Sequence, residues 1–297
     1  MPRLSPDQLA ARRLGIGSSD VPAILDLPSY VGRNAWAVWN EKRGLSEEPS
    51  PELQEVFDRG HDLEPVIARW YARRTKAELL PGGTIQKHGE PWAFATIDAK
   101  VIALSCGLEC KAVGVSKLRD WDETRDDGIP DYVRVQCVWQ MYCADYAAMH
   151  VAAMLGGPAG FRVFEVVRDV ELEDQIVRRC RAFWGTVVEG KPPAIDGSAA
   201  CRAYLENRYP RPTSLVMRAA TPEEERIAAE RHGAAIQEKI GERVKKEMDN
   251  KLIALIEERT GIEGADGWKA TRKVGKGDVC RYRFAPAKSW KGGGEDE

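Results

Sequence analysis

Two acidic residues and a lysine lie on two consecutive short stretches of this sequence. FATIDAKV (94–101) contains Asp98, and GLECKAV (107–113) contains Glu109 and Lys111. Both stretches read as strands joined by a short link, which predicts an antiparallel hairpin. Side chains two residues apart on a strand point to the same face, so Glu109 and Lys111 share a face. The hairpin would bring Asp98 next to Glu109 on that face.

Neighbouring carboxylates such as Asp98 and Glu109 repel each other, and a divalent cation between them removes that conflict. Mg²⁺ binds oxygen ligands and commonly takes one or two carboxylates, several waters and a substrate phosphate. Lys111 would then orient a water or stabilise charge on a phosphoryl group. The alternative is a solvated sheet face with a cross-strand salt bridge, because Glu-x-Lys alone is common. The apolar residues around the charges indicate buried strands and favour the metal site.

A polar stripe lies in IPDYVRVQCVWQMYCADY (129–146), which reads as a helix beginning after Pro130. Tyr132, Gln136 and Gln140 recur every four residues and therefore share one side of that helix. Hydroxyl and amide groups at this spacing suit the binding of a phosphate or of a lysine ammonium group. An ordinary polar face is the alternative.

Further polar candidates lie near the N-terminus. GIGSSDVPAILDL (15–27) reads as a turn that leads into a short helix, with Ser18, Ser19 and Asp20 as natural N-cap residues. Residues 1–14 read as a polar, helical lead-in.

A helix is also predicted over 49–75, with Gly60 and Pro65 marking a break or a fresh start. Pro65 suits a first helical turn, so Glu64 would lie at or near that turn. The remaining predicted elements are helices over 34–44 and 172–190 and strands over 78–89, 149–155 and 161–169.

The composition changes after KPPAID (191–196), which predicts a domain boundary near residue 196. A long, highly charged helix follows over 222–259, with interruptions near Gly233 and Gly241. The strand pair WKATRKV and CRYRF is locally basic and aromatic, and such residues could contact the DNA backbone. A solvated helical appendage with a small sheet is the alternative.

The overall composition narrows the class of protein. The chain has 297 residues and a formal net charge of −2, so a nucleic-acid partner would have to bind a local patch. The seven cysteines form no CxxC pair, which argues against a disulfide framework and a compact zinc site. No apolar run is long enough for a membrane span, and the start lacks the apolar region of a secretory signal. A cytoplasmic protein with reduced thiols is expected.

Taken in order, these segments resemble the YqaJ-like viral recombinase and phage lambda exonuclease family, within the PD-(D/E)xK nuclease class. No single motif is specific, but several occur in the right order and cover about residues 12–195. The matching segments are GIGSSDVPAIL (15–25), RGHDLEPVIARWY (59–71), FATIDAKV, GLECKAV, DYVRVQCVWQMY (131–142), VRD (167–169) and FW (183–184).

The resemblance implies a role for each matching residue of the catalytic centre. Asp98, Glu109 and Glu64 would be the metal-binding carboxylates. Lys111 would be the catalytic lysine. The backbone carbonyl of Cys110 would also reach the metal.

The resemblance also implies residues around that centre. Gln136 would hold the active site from the neighbouring helix. Ser18 and Ser19 lie where relatives grip DNA, and Arg33 is a further candidate for that task. The polar stripe supplies two more DNA-binding candidates, Tyr132 and Gln140.

Two departures from the family pattern flank the metal ligands. The family usually has Pro-Asp-Gly at the first acid, where this chain has Ile97–Asp98–Ala99, and Cys-Pro after the lysine, where this chain has Ala112–Val113. Neither change removes a charged group, so activity is expected to survive, although both changes lie beside the metal ligands.

The resemblance implies an α/β fold with a restriction-endonuclease-like core, in which helices flank a mixed central sheet. This exonuclease domain would span 1–196, and 197–297 would form a helical arm with a terminal β-hairpin. The core of that fold would hold Mg²⁺, with Mn²⁺ as the alternative. No iron–sulfur cluster is expected, because the required four-cysteine arrangement is missing.

The activity that the resemblance implies is 5′ to 3′ exonuclease digestion of double-stranded DNA ends in phage-type homologous recombination. A single-strand annealing protein would be the partner, and self-association as a trimer is implied by the same relatives. Two alternatives stay open: a catalytically inactive DNA-binding or assembly protein on a nuclease fold, and an endonuclease. The acidic residues, lysine and glutamine named above weigh against the inactive protein.

Overall fold

The structure, a computed structural model, describes residues 13–27, 33–46, 50–121, 128–211, 217–274 and 280–287. The chain divides into two compact units, Met1–Pro212 and Thr213–Glu297. The first contains a five-stranded sheet and the second a three-stranded sheet. Most of the helical lead-in predicted over 1–14 lies outside the described residues.

The five-stranded sheet of the first unit has its strands in chain order. They are β1 (Leu79–Gln86), β2 (Phe94–Val101), β3 (Cys106–Val113), β4 (Ala148–Leu155) and β5 (Phe161–Val167). β3 and β4 pair in parallel, while the other neighbours are antiparallel, so the sheet is mixed. The predicted β2–β3 hairpin is confirmed. A parallel pair requires a crossover, which a helix between β3 and β4 supplies.

Six helices are described in the first unit, and both faces of the sheet are covered. They are α1 (Val21–Ile24), α2 (Ala35–Lys42), α3 (Pro51–Thr75), α4 (Asp131–Ala144), α5 (Val170–Glu189) and α6 (Ala199–Arg208). The crossover helix α4 packs with α1 and α5 over one face, where Val133, Val151 and Ile176 share a buried cluster. Helix α3 covers the opposite face, where Ile67 and Leu108 are buried. Short 3₁₀ turns occur at Ile102–Leu104, Val115–Asp120 and Pro158–Gly160.

Helix α3 runs unbroken through Gly60 and Pro65, so the predicted break there is wrong. A proline inside a helix removes the hydrogen bond to the carbonyl four residues earlier, here that of His61. His61 is exposed, so water can take that hydrogen bond. Glu64 therefore lies in the interior of a long helix and not in a first turn.

The C-terminal half of α3 is fixed to the sheet below Glu64. Ile67 and Tyr71 follow on the same side of the helix, and both are fully buried. The Tyr71 hydroxyl forms a hydrogen bond with Nδ1 of His150 on β4. These contacts set the rotation of α3, and thus the direction in which Glu64 points.

The second unit consists of one long helix and a small antiparallel sheet. Helix α7 (Pro222–Ile256) is continuous, so the interruptions predicted near Gly233 and Gly241 are wrong. Each glycine costs a helix only about 1 kcal/mol relative to alanine, which the surrounding Ala, Glu, Lys and Arg residues offset. The sheet strands are β6 (Gly261–Glu263), β7 (Lys269–Val274) and β8 (Cys280–Ala285). The predicted β7–β8 pair is confirmed, while β6 was not predicted.

Helix α6 follows the boundary predicted near residue 196 but packs on the first unit. Its Tyr204 lies between Trp36 and Trp39 of α2, with ring centroids 5.1 and 5.4 Å away. The indole of Trp36 donates a hydrogen bond to the Ala194 carbonyl at 2.7 Å. The compact first unit therefore includes α6, and the division at 196 stays a prediction. Among the described helices, none is both long and apolar enough to cross a membrane.

Replacing Trp36 with alanine should destabilise the first unit by about 3–5 kcal/mol, because its ring is buried between α2 and α6. Tyr209→Ala is the matched control, since the Tyr209 side chain at the end of α6 is 68% exposed. Guanidinium unfolding curves followed by circular dichroism measure both variants. Equal losses of stability in the two variants would contradict the packing described here.

Candidate active site

The centre of the site is an ion pair between Glu109 and Lys111 of β3. Both side chains point towards α4, as the alternation of a strand requires. Lys111 Nζ lies 2.7 Å from Glu109 Oε1. The Glu109 side chain is 6% exposed and that of Lys111 is 26% exposed, so the lysine lies between the buried carboxylate and solvent.

Two glutamines of α4 complete the hydrogen bonds of this pair. Gln136 donates to Glu109 Oε1 at 2.7 Å and accepts from Lys111 Nζ at 2.9 Å. Gln140 donates to Glu109 Oε2 at 2.6 Å and to the carbonyl of Thr96 at 2.9 Å. Both Glu109 oxygens thus accept hydrogen bonds, which a buried carboxylate needs.

Asp98 lies where the β2–β3 ladder stops. The last ladder pair on this side is Ala99 with Leu108. Beyond it, the carboxylate of Asp98 accepts the N–H of Cys110 at 2.6 Å, which satisfies a peptide group that has left the ladder. The Cys110 side chain is buried on the opposite face, in the cluster formed with Ile67 and Tyr71.

Glu64 and Asp98 lie close enough to Glu109 for its negative charge to raise the pKa of both carboxyl groups. Burial, together with the charge of Glu109, raises the pKa of Glu64 to about 7. Burial and the charges of Glu109 and Glu64 raise the pKa of Asp98 well above its usual value. The carboxyl groups of Glu64, Asp98 and Glu109, from α3, β2 and β3, therefore disfavour one another's ionisation.

Lys111 is held in its charged form by the same acids. Burial alone would lower its pKa, but the charge of Glu109 and the hydrogen bond to it outweigh that effect and raise the pKa. Lys111 is therefore an ammonium group at neutral pH and cannot serve as a proton acceptor there.

The donor set fits a divalent cation in charge and chemistry. When ionised, the three carboxylates and Lys111 carry three negative charges and one positive charge, a sum of −2. Carboxylate oxygens are the ligands that Mg²⁺ prefers. The side chains are not gathered into a finished ligand cluster: no group of three or more His, Cys, Asp or Glu residues that could hold a metal ion occurs in the part of the chain that the structure describes.

The N-terminal candidates for DNA contacts occupy different environments. Ser18 is buried and Ser19 is exposed. The Arg33 side chain is only 9% exposed and forms ion pairs with Asp20 and Glu41. Arg33 is thus tied to two carboxylates, a placement that favours a structural role for its guanidinium group.

The polar stripe on α4 likewise contains one buried and one partly exposed DNA-binding candidate. Gln140 is fully buried, and its amide group bonds to Glu109 and Thr96, so this structure leaves Gln140 no surface for DNA. Tyr132 is half-buried, and burial and the charge of Asp120 raise its pKa. The interpretation that the stripe holds a lysine head group agrees with the Gln136–Lys111 hydrogen bond.

Sequence reasoning missed a buried ionic network beside the GSSD turn. Asp20 was interpreted only as a cap, but its carboxylate binds Arg33, accepts the N–H of Gly17 at 2.9 Å and pairs with Lys42 at 2.6 Å. The Lys42 side chain is completely buried. The one available signal was a charged residue on the apolar side of a predicted helix.

The fold resembles that of solved exonucleases. The structure of LHK-Exo in complex with dAMP superposes with a TM-score of 0.51 at 16% identity, over 69% of this chain and 97% of that chain. A second structure, of the alkaline exonuclease (LHK-Exo) from Laribacter hongkongensis, gives a TM-score of 0.49 at the same identity and coverage. At this identity the likeness concerns the fold. The predicted fold class, with its mixed sheet flanked by helices, is confirmed.

The family is defined by sequence comparison. Residues 7–147 match the YqaJ-like viral recombinase domain. The uncharacterized protein YqaJ of Bacillus subtilis (strain 168) is 32% identical over 206 residues, or 68% of this chain. The chain spans 62% of that relative's length. The predicted family is therefore confirmed: this chain carries a YqaJ-like viral recombinase domain.

Glu64→Gln should change how stability depends on pH in the metal-free protein. Because the pKa of Glu64 is raised to about 7 from 4.5, its protonated form stabilises the fold below pH 4.5, and this contribution is lost as pH rises through 7. Glutamine does not ionise, so the variant should gain on the order of 1–2 kcal/mol over wild type as pH rises from 4.5 to 8, because solvent screening at this partly exposed site reduces the full effect.

Unfolding curves in EDTA at several pH values measure this difference. Glu55→Gln is the control on the same helix, because the Glu55 side chain is 68% exposed, and it should follow wild type. The assigned environment of Glu64 is wrong if Glu64→Gln and wild type keep the same stability difference from pH 4.5 to pH 8.

Proposed function

We propose that this protein is a metal-dependent nuclease that degrades double-stranded DNA from its ends. The observation that carries the proposal is the meeting of three carboxyl groups with one lysine. Glu109 and Lys111 of β3 form an ion pair, and Glu64 from α3 and Asp98 from β2 are near enough to this pair for their charges to interact with it. Structural ion pairs do not need three mutually repelling acids, whereas cation-assisted phosphodiester hydrolysis does use such a group.

The comparisons support this proposal at the level of class. The matching family model describes a viral recombinase, and the solved structure of similar fold is named an alkaline exonuclease. From those names this chain is assigned an exonuclease reaction and a role in recombination.

The chain's own residues would bind and orient the scissile phosphate. Lys111 is positively charged and partly exposed, so its ammonium group can approach a phosphoryl oxygen and stabilise the negative charge that develops there. Gln136 holds Lys111 from the side and limits its rotation. Gln140 keeps Glu109 in place, so the carboxylate does not turn away from the phosphate.

The cation would be Mg²⁺, with Mn²⁺ as the alternative, held by Glu64, Asp98, Glu109 and the Cys110 carbonyl. Such an ion lowers the pKa of a bound water and offsets charge on the phosphate. Glu64 must lose its proton before it can serve as a ligand. We propose no iron–sulfur cluster.

Contacts with the DNA end are assigned to the polar residues around the centre. The exposed Ser19 is the best placed of them, with the half-buried Tyr132 on α4 as a second. Ser18 and Arg33 would support Ser19 from inside the protein and not contact the DNA first, since both are largely buried. Arg33 forms an ion pair with Asp20 at the base of the same turn.

The remaining features follow from the family. We propose 5′ to 3′ digestion that leaves a strand for a single-strand annealing protein, self-association as a trimer, and action in the cytoplasm of a phage host. The nuclease activity is assigned to the first unit, with residues after 196 as an accessory arm.

Two DNA substrates with Mg²⁺ test the proposal: an end-labelled linear duplex and a closed circular duplex. The wild-type protein should degrade the linear duplex and leave the circle intact. Lys111→Gln should slow the reaction on the order of 10²–10³-fold, because it removes the charge but retains a donor for Glu109. Lys191→Gln is the control and should match wild type, since the Lys191 side chain is 76% exposed in a turn after α5.

Other outcomes would assign a different function. Cutting of the circle would identify an endonuclease. If neither substrate changes, the protein is a DNA-binding or assembly protein on a nuclease fold and the catalytic assignment is wrong. A melting curve of Lys111→Gln close to wild type excludes loss of fold as the cause of a slow reaction.

A further inference from the structure

The small sheet of the second unit has two unlike faces. Its inner face packs against the end of α7, where Ala270 and Ile256 are fully buried. Arg272 on this face donates to the carbonyl of Glu257 at 2.8 Å, just beyond the helix. The inner face therefore makes the packing and capping contacts with the end of α7.

The outer face carries a group of cations. Because side chains alternate along a strand and residues in register share a face, the outer residues of β7 and β8 can be read from the pairing. The four cations define what we call the basic sheet face: Lys269 and Lys273 of β7, and Arg281 and Arg283 of β8. All four are exposed.

The basic sheet face is not balanced by acids in the described part of the chain. Its only carboxylate is Glu263 of β6, which pairs with Lys269 at 3.0 Å. Lys273 lies directly opposite Arg281 in the ladder. Residues in opposed positions have Cβ atoms about 4.5–5.5 Å apart, and like charges on such a pair destabilise a sheet. The arrangement costs stability unless a polyanion neutralises it.

We propose that the basic sheet face binds the phosphate backbone of duplex DNA, as a second contact apart from the active site. This inference rests on the proposed function, because it takes the DNA substrate as the ligand. Phosphate contacts require cations and hydroxyl groups, and Thr271 lies among the cations, in register with Arg283. Binding to a lipid surface would need apolar side chains beside the charges, and the neighbours on this face are Thr271 and Ala285.

The consequence is a tether between the nuclease and its substrate. A second DNA contact on the same chain keeps the DNA at a high effective concentration when the active site releases it. The protein should therefore remove more nucleotides in each binding event than the first unit would without this contact. Because the contact is to the backbone, it should not depend on DNA sequence.

The triple variant Lys273→Gln, Arg281→Gln, Arg283→Gln in the full chain tests the inference. Duplex DNA binding is measured in EDTA, which prevents hydrolysis, over a range of salt concentrations. Loss of three phosphate contacts should lower the slope of log affinity against log salt by about 2 to 3. Affinity at low salt should fall on the order of tenfold or more.

A control with the same change of charge separates a local contact from overall charge. Arg231→Gln, Lys239→Gln, Lys245→Gln removes three exposed cations of α7 and should leave the slope nearly unchanged. The sheet variant should melt at or above the wild-type temperature, because the Lys273–Arg281 repulsion is gone. That result shows that weaker binding does not come from unfolding.

Three results would overturn the inference: an unchanged salt slope in the sheet variant, an equal loss of slope in the α7 control, or loss of binding to anionic phospholipid vesicles with DNA binding intact. Because binding is measured without hydrolysis, this experiment tests DNA binding by the basic sheet face independently of the proposed nuclease activity. An inactive protein whose DNA binding depends on the basic sheet face would disprove only the nuclease proposal.

Discussion

The buried carboxylate of Glu109 is the constraint on which the rest of the first unit depends. A charge at this depth is stable only when it is paired and fully hydrogen-bonded. Lys111 supplies the pairing charge, and Gln136 and Gln140 supply the remaining donors. Both glutamines are on α4, so this helix must cross the sheet at β3. That position is the one that a parallel β3–β4 crossover provides.

The charge of Glu109 also means that the site costs the fold stability, because two further acids lie near it. Glu64 and Asp98 are partly or wholly buried near a carboxylate that already has a cation, and burial together with the charge of Glu109 raises the pKa of each. The contacts of α3 hold this arrangement, since Ile67 and Tyr71 are buried below Glu64. Residues that store repulsion of this kind are characteristic of functional sites, where a ligand relieves it.

The parts of the site that sequence could predict are those with local patterns. The alternation in GLECKAV places Glu109 and Lys111 on one strand face, and the four-residue spacing of Gln136 and Gln140 places them on one helix face. Both were predicted without the structure. The burial of Gln140 was not, because it depends on how closely α4 approaches β2 and β3. Helix α3 likewise passes through Pro65 because tertiary contacts outweigh a local breaker.

A crystal structure of the Lys111→Gln variant with Mn²⁺ and a short blunt-ended DNA duplex tests most directly whether this site binds a metal and a DNA end. Anomalous scattering locates the metal without reference to the protein chemistry. We expect an anomalous peak bound by carboxylate oxygens of Asp98 and Glu109, with a backbone phosphate of the DNA end beside it and close to residue 111. A DNA end and metal bound elsewhere, with these carboxylates bonded only to the protein, would contradict this expectation.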